Sequence, residues 1–171
     1  MTGAVTLTTN DNSGTDADAT IDNGTTALII AASTVDGDLT IKSGHASGIT
    51  DSGTVTVGGN LAATTDAGSG VIDMGTLAVD GTIALATNGT GNATVVNDAG
   101  IAFAASTVGG TLAATATTGN ITQDSSTALT VTGTSAFTTS ADNATITLDT
   151  TTNPLTGAVT LTTNDNSGTD A

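Results

Sequence analysis

The feature that most constrains this chain is a long internal repeat. Residues 2–17 and 156–171 share the same sixteen letters, TGAVTLTTNDNSGTDA, and Thr156 lies 154 positions after Thr2. Identity of this length indicates recent duplication, and a fixed period is typical of solenoids and other repeat arrays. We therefore divide the chain into one 154-residue unit, 2–155, and the start of the next copy, 156–171. We expect a single solenoid segment, 1–171, cut from a longer array, with Met1 standing where the periodic copy has Leu155.

The composition favours strands over helices. Thr, Ala and Gly are abundant, and Glu, Arg, Cys and Trp are absent. Thr, Val, Asn and Gly are all poor helix formers. Low aromatic content and a net charge of −15 would also suit a disordered chain, but the regularly spaced Val, Ile and Leu favour a folded one. The longest apolar run, 27–32, is far shorter than the ~20 residues that a membrane helix needs, so we expect no membrane span.

A shorter pattern, centred on glycine, repeats within the unit. Apolar residues stand two positions before the glycine and two and four positions after it, as in Val35-x-Gly37-x-Leu39-x-Ile41. Polar or small residues lie between them, and such alternation predicts a strand with one buried and one solvated face. The anchor glycines are Gly3, Gly37, Gly59, Gly81, Gly110, Gly133 and Gly157.

The distances between anchors give the size of one coil. Successive anchors are 34, 22, 22, 29, 23 and 24 residues apart. The shorter intervals suit three strands of about five residues joined by tight turns. We therefore predict an all-β fold, a right-handed parallel β-helix (solenoid) of about six to seven coils with roughly 22–24 residues per coil. We expect the two longer intervals to hold a bulged loop or, in the 34-residue interval, part of an extra strand.

A second motif, between the anchors, predicts a corner. In each coil an Ile, Val or Leu leads into acidic or amide residues, as in Ile21-Asp22-Asn23-Gly24. Asp and Asn side chains satisfy nearby backbone groups, and Gly tolerates a positive φ. We expect stacked coils to align these corners, with the following carboxylates in one column: Asp22, Asp51, Asp73, Asp98, Asp124 and Asp149.

The segment 119–133, GNITQDSSTALTVTG, with Gly110-Thr-Leu-Ala-Ala before it, resembles the repeats of filamentous-haemagglutinin-type adhesins. The resemblance covers essentially the whole chain. It implies two-partner secretion of a long right-handed β-helical shaft, extracellular or on a bacterial cell surface, that mediates attachment, aggregation or biofilm formation. The implied partners are adjacent copies of the repeat in the full-length chain or fibre, with any receptor bound through regions outside this segment. The absence of Cys agrees with unfolded passage through an outer-membrane pore.

The acidic residues leave a second interpretation open. All sixteen are Asp, and we interpret them first as turn residues whose charge keeps a fibre soluble and opposes nucleic-acid binding. The alternative is a calcium-stabilised extracellular spacer, such as a bead-like adhesin or surface-layer module. No EF-hand or Gly-Gly-x-Gly-x-Asp spacing is present, so we expect no cofactor. The oxygen ligands for calcium would come from Asp11, Asp16, Asp18, Asp36 and Asp38.

Other functional classes are disfavoured, and we expect no enzymatic activity. A β-helix that cleaves polysaccharides needs positioned acids and bases, whereas the cationic candidates are Lys42 and His45, in a Gly- and Ser-rich stretch that favours a solvated turn over a catalytic pair. An ice-binding face would need Thr-x-Thr pairs in one register, and these pairs do not share a register with the anchors. Immunoglobulin-type modules usually need core aromatics that are missing here.

Overall fold

The computed structural model describes residues 1–10, 16–150 and 152–164, and this part of the chain is all-β with no helix. No helix able to cross a membrane occurs in these ranges. The strands are β1 (Ala19–Asp22), β2 (Leu28–Ile30), β3 (Ser33–Val35), β4 (Leu39–Ser43), β5 (Ile49–Asp51), β6 (Val55–Val57), β7 (Leu61–Thr65), β8 (Ile72–Val79), β9 (Thr82–Ala86), β10 (Ala93–Asn97), β11 (Ile101–Phe103), β12 (Ser106–Val108), β13 (Leu112–Ala116), β14 (Ile121–Gln123), β15 (Leu129–Val131), β16 (Ser135–Asp142) and β17 (Val159–Asn164).

The strands form two parallel sheets. The first sheet has the order β1-β4-β7-β9-β11-β14, with β12 and β15 attached, and the second has the order β17-β16-β13-β10-β8-β5-β2, with β3 and β6 attached. Each strand pairs in parallel with a strand about one coil away in the sequence, which defines a solenoid. The predicted fold class is confirmed, and separate sandwich modules are excluded. The right-handed sense stays a prediction.

Apolar residues of successive coils lie over one another in the core. Leu39 is in register with Leu61, and Leu61 is in register with Ile83. All three are at most 1 % exposed, and burying such a side chain contributes about 1.5–3 kcal/mol. The predicted inward positions around Gly37, Gly59, Gly81, Gly110 and Gly133 are all buried.

The second sheet gives the number of coils. Val5 bridges to Ile30 in β2, and the sheet continues through β5, β8, β10, β13 and β16 to β17, which begins at Val159. Val159 is the periodic copy of Val5, 154 positions later. The seven steps between them make one unit seven coils long, which gives 22 residues per coil.

Each of the two long anchor intervals contains an additional half coil. Strands β4, β7 and β9, which follow Gly37, Gly59 and Gly81, lie in the first sheet, whereas β13, β16 and β17 lie in the second. Between Gly81 and Gly110 the chain crosses to the second sheet, returns through β11 and β12, and crosses again. The prediction of a bulged loop in these intervals is therefore wrong, because the additional residues move the glycine motif to the opposite sheet. The extra strand predicted for the 34-residue interval agrees with the additional half coil.

Equivalent segments consequently face opposite ways. The sequence AASTV occurs at 31–35 and again 73 positions later at 104–108, yet β3 lies in the second sheet and β12 in the first. Their local bonding is the same. Ser33 Oγ accepts an N–H from the preceding coil and donates to the carbonyl two positions before it, and Ser106 Oγ does likewise. The unit is thus two halves, each about three and a half coils long in a solenoid of stacked, self-similar turns.

Candidate functional site

A ladder of side-chain hydrogen bonds runs along one corner of the first four coils. Asp18 Oδ1 accepts the N–H of Asp38 at 2.8 Å, and Asp38 Oδ1 accepts the N–H of Asn60 at 2.7 Å. Asn60 Oδ1 then accepts both the N–H and the hydroxyl of Thr82, each at 2.8 Å. We call Asp18, Asp38, Asn60 and Thr82 the Asx ladder. Each step joins one coil to the next, so the ladder fixes the register of neighbouring coils at this corner.

The Asx ladder explains why three of the anchors, Gly37, Gly59 and Gly81, are glycine. A Cβ at Gly81 would lie 2.7 Å from Asn60 Oδ1 and closer still to the carbonyl oxygen of Gly59, whereas an ordinary contact is at least 3.4 Å long. A Cβ at Gly37 or Gly59 would overlap the Asp side chain of the coil before it in the same way. None of these anchors has a positive φ. The anchors are therefore required for space, so that a ladder side chain can reach the next N–H.

We predict that Gly59→Ala destabilises the chain by about 1–3 kcal/mol, the usual cost of an overpacked methyl group. The added Cβ would meet both Asp38 Oδ1 and the backbone of Gly37. Urea denaturation followed by circular dichroism measures the change.

The matched control is Gly75→Ala, in strand β8. A Cβ there meets no atom within 4 Å, and Gly75 has no positive φ. Removing a glycine from such a position reduces the freedom of the unfolded chain, so the variant should be unchanged or slightly more stable. Equal losses of stability in the two variants would mean that the Asx ladder is not the reason why residue 59 is glycine.

Two asparagines clamp the backbone where the chain changes sheet. Asn97 Oδ1 accepts the N–H of Val79 at 2.8 Å, and Asn97 Nδ2 donates to the carbonyl of the same residue at 3.0 Å. Asn23, 74 positions earlier, holds the amino group and carbonyl of Met1 in the same way. Met1 and Val79 both stand two positions before an anchor glycine. In each half, the Asn side chain thus takes the place of a neighbouring strand, because it hydrogen-bonds both backbone groups of Met1 or Val79.

The acidic corners do not form the predicted column. Asp22 belongs to the first sheet, opposite Lys42, whereas Asp51 belongs to the second sheet, opposite Ile30. Asp73 pairs with Thr50 instead of Asp51. The prediction is wrong because the acidic motifs fall on both sheets. Within the second sheet, Ile49 pairs with Ile72, yet Asp51 follows its Ile by two residues and Asp73 by one.

The carboxylates act instead as acceptors for the backbone. Asp22 Oδ1 accepts the N–H of Gly24 at 2.8 Å within a turn, and Gly24 has the positive φ expected of this corner, 55°. Asp51 bridges two coils, because its oxygens accept the N–H of Gly75 at 3.1 Å and that of Thr76 at 2.7 Å. Turn chemistry therefore accounts for both residues.

The calcium alternative gains no cluster in the described ranges. Asp11 lies outside them, and within them no group of three or more His, Cys, Asp or Glu side chains is arranged to hold a metal ion. Asp18 and Asp38 already accept N–H groups in the Asx ladder. Asp16 and Asp36 complete the candidate set. Calcium binding stays an untested alternative, which predicts that excess chelator lowers the melting temperature.

Lys42 and His45 take separate structural roles. Lys42 Nζ lies 2.8 Å from Asp66 Oδ2 and 3.7 Å from Asp22 Oδ2, which lie on the coils after and before it. His45 is exposed, and its Nδ1 accepts the N–H of Ser47 at 3.0 Å in a turn. The predicted solvated turn is the environment of His45, and Lys42 joins three coils by ion pairs.

The ion pairs give a pH dependence of known sign. The Asp66 carboxylate, through its hydrogen bond and charge, raises the pKa of Lys42 above the ordinary value of 10.5, and Asp22 adds to this. The pairs therefore stabilise the fold below pH 10.5, and this stabilisation is lost as the pH rises through the raised value. Since the pairs are solvated, we expect Lys42→Gln to lower the melting temperature slightly near neutral pH. The difference from wild type should vanish in strongly alkaline buffer, and a constant difference would contradict the assignment.

The repeat halves seen in the structure coincide with two matches to a known family. Residues 16–74 and residues 90–162 each match the family described as repeats of unknown function (DUF5649). The chain belongs to this family. The two DUF5649 matches begin 74 positions apart, which is also the separation of Asn23 and Asn97. Neither a curated protein nor a solved structure matches the sequence.

Sequence reasoning found the anchor glycines and missed the Asx ladder and the two clamps. The residue after each of Gly37, Gly59 and Gly81 is Asp38, Asn60 or Thr82, and this recurrence was the available signal. The clamps had a fainter signal, since Asn23 and Asn97 end the related segments ATIDN and ATVVN.

Proposed function

We propose that this chain is a structural shaft segment of a large secreted or cell-surface bacterial fibre or adhesin. In this role the DUF5649 repeats hold an adhesive region away from the cell and so mediate attachment, aggregation or biofilm formation. The chain would act as a spacer and would have neither catalytic activity nor a cofactor. The filamentous-haemagglutinin resemblance of segment 119–133 suggested this class, and the geometry of the repeat supports it.

The observation that carries the proposal is that one 154-residue unit closes on a whole number of coils. Val5 and its copy Val159 both lie in the second sheet. A further unit would therefore continue both sheets without a rotation or a break. Seven coils at about 4.8 Å each would add roughly 34 Å per unit. Duplication of such a unit lengthens a rod and leaves its cross-section unchanged, which is what a shaft requires.

The outer surface supports a spacer more than an enzyme. Two of the open grooves on the described part of the chain have volumes of about 340 Å³ and 280 Å³. Asp80 is the titratable residue in the lining of the larger groove, and Asp98 is the one in the smaller groove. Glycoside hydrolysis ordinarily uses a pair of carboxyl groups on either side of the bond. Neither groove supplies such a pair from its described lining.

The first test is the length of tandem arrays. Single, double and quadruple units would be expressed and measured by electron microscopy and small-angle scattering. The shaft proposal expects straight rods whose length grows by about 34 Å for every added unit. Arrays that behave as flexible beads, or whose length does not follow the unit number, would contradict it.

The second test separates spacer from binder. Removal of units from the full-length gene should reduce attachment of intact cells, because the tip is held closer to the surface. Purified chain 1–171 added in excess should not compete for attachment. If the purified chain blocked attachment, this segment would itself carry the binding site and the spacer role would be wrong.

A further inference from the structure

The tripeptide Asn-Gly-Thr occurs twice in the chain, at 23–25 and at 88–90, and the sequence has no other Asn-Gly pair. Asparagine is a chemically labile residue. It is most labile before glycine, which has no Cβ to hinder attack by its own backbone nitrogen on the preceding side chain. Because the reacting atoms and the residue after them are the same in both copies, the fold decides which copy reacts.

The first copy has both of its reacting groups engaged. Asn23 is buried, and its Nδ2 donates to the carbonyl of Ala27 at 2.7 Å as well as to that of Met1. The N–H of Gly24 donates to Asp22 Oδ1 at 2.8 Å. A reaction at Asn23 would therefore require the corner to open locally first.

The second copy lies on an exposed turn between β9 and β10, where Asn88, Gly89 and Thr90 all face water. The turn is closed by the N–H of Gly91, which donates to the carbonyl of Asn88 at 3.0 Å, and Gly89 has a φ of 59°. Neither the carboxamide of Asn88 nor the N–H of Gly89 hydrogen-bonds to a residue of the described ranges. The nucleophile and its target are thus adjacent, unpaired and open to water.

We propose that Asn88 is a site of spontaneous hydrolytic modification in the folded protein, and that the clamp protects Asn23 from the same reaction. The backbone nitrogen of Gly89 attacks Asn88 Cγ, a bond forms between them, and Nδ2 leaves as ammonia with the proton of the Gly89 N–H. Water then opens the cyclic imide at either carbonyl, which gives aspartate or isoaspartate. The inference concerns the folded chain itself, and it stands whether or not the chain is a shaft.

Aspartates that precede glycine form the same imide, and the fold holds these as well. They are Asp36, before Gly37, and Asp80, before Gly81. The N–H of Gly81 donates to the carbonyl of Gly59 at 3.0 Å, and the N–H of Gly37 is bonded to the preceding coil in the same way. Among the Asn-Gly and Asp-Gly pairs of the described ranges, only the turn at 88–89 leaves the glycine nitrogen unpaired.

The turn at 88–91 can accept the product. Its attachments are the bond from Gly91 to the carbonyl of Asn88 and the bond from the N–H of Thr90 to Ser69 Oγ, at 3.2 Å. Neither bond uses the carboxamide of Asn88, so an aspartate there keeps both. At Asn23, by contrast, a carboxylate has no N–H to donate to the carbonyls that the clamp holds.

The two copies can be followed in one wild-type sample, because Lys42 is the single Lys or Arg and trypsin therefore separates 1–42 from 43–171. The chain would be kept warm at mildly alkaline pH, digested, and sequenced by mass spectrometry over time. In the folded chain, conversion at Asn88 should be at least about tenfold faster than at Asn23, a ratio equivalent to about 1.4 kcal/mol. In urea the two rates should agree within about twofold, because unfolding removes the clamp.

Two outcomes would overturn the proposal. If Asn88 stayed intact in the folded chain but reacted in urea, the turn itself would block the attack. If Asn23 and Asn88 reacted at equal rates in the folded chain, the clamp would give no protection. Asn88→Gln is the control for the assignment, since a longer side chain must close a larger ring, and the fast conversion in 43–171 should disappear.

A pair of aspartate variants measures what the modification does to the fold. Asn88→Asp should melt at the wild-type temperature, because the bonds of its turn do not use the side chain. Asn23→Asp should melt lower, because the donor to the carbonyl of Ala27 is lost. Equal losses in melting temperature would contradict the assignment of residue 88 as the tolerated position.

Discussion

Asn97→Leu is expected to destabilise the chain by roughly 3–6 kcal/mol, because each buried polar group left without a partner costs about 1–3 kcal/mol. Asn97 is fully buried. Its amide holds the N–H and the carbonyl of Val79, and its Nδ2 also donates to the carbonyl of Gly100 at 2.7 Å. Leu has a similar size and no polar atom, so all of these groups would stay desolvated and unpaired.

Repeat proteins need not unfold in a single step. Stability should therefore be measured at the Asn97 clamp as well as for the whole chain. Urea denaturation gives the overall change, and hydrogen exchange should show that the amide of Val79 loses its protection first. Asn23→Leu is the matched control, since Asn23 makes the same clamp in the first coil but is 8 % exposed. Water can reach the freed groups of Met1 there, so the loss should be clearly smaller. Equal losses would mean that burial of the Val79 groups is not the cause.

Phe103→Ala is expected to cost about 3–5 kcal/mol, the usual range for truncating a buried Phe. Phe103 and Phe137 are both fully buried and meet edge to face, with ring centroids 6.1 Å apart and an angle of 81° between the rings. Phe137 pairs with Ala114 of the preceding coil, a small residue that does not fill the core near the rings. The neighbouring backbone is fixed by the strand pairings, so it cannot collapse into the cavity that Ala would leave.

Phe103→Leu is the matched control, since it keeps most of the volume and should cost less than about 1.5 kcal/mol. The ring contact itself is measured by the double-mutant cycle of Phe103→Ala and Phe137→Ala, where a coupling of about 0.5–1.5 kcal/mol is expected. Urea denaturation of the four proteins provides the values. Additive losses would mean that the two rings do not stabilise each other, and equal costs for Leu and Ala would remove the cavity argument.

Both sites lie where the glycine motif changes sheet, and this gives them a role in the repeat as a whole. Asn97 ends the column of strands β3, β6 and the second part of β8, which pair through Val35, Val57 and Val79. Phe103 follows in β11, the first strand of the returning half coil. Asn97 thus supplies hydrogen-bond partners to Val79 at the point where this column of strands ends.

Much of the fold could be predicted from the sequence because the information is local. Whether a residue such as Leu39 or Ile41 points inward depends on the two-residue period of a strand, and this pattern held on both sheets. The turn at Asp22 and Gly24 is equally local, since a carboxylate and a nearby N–H need no other part of the chain. The candidate site was predicted only in part. The anchors were found. The Asx ladder was missed because predicting it requires knowing which residue of the previous coil lies beneath Gly59. The predicted column of acidic corners was wrong for the same reason.

The sequence alone determined that this chain stacks short strands around a narrow apolar core, with glycine at one corner and a period of 154 residues. Only the tertiary structure decided which sheet each strand joins, that the unit contains seven coils, and that AASTV at 31–35 and at 104–108 lies on opposite faces. The reason is that side chains alternate between the two faces of a strand every two residues, which is a local property. The sheet that the chain joins after a turn depends instead on the total number of residues in each corner. The 29- and 34-residue anchor intervals exceed the 22-residue ones by 7 and 12 residues, which leaves the local pattern intact and still carries the chain half a coil further around the axis.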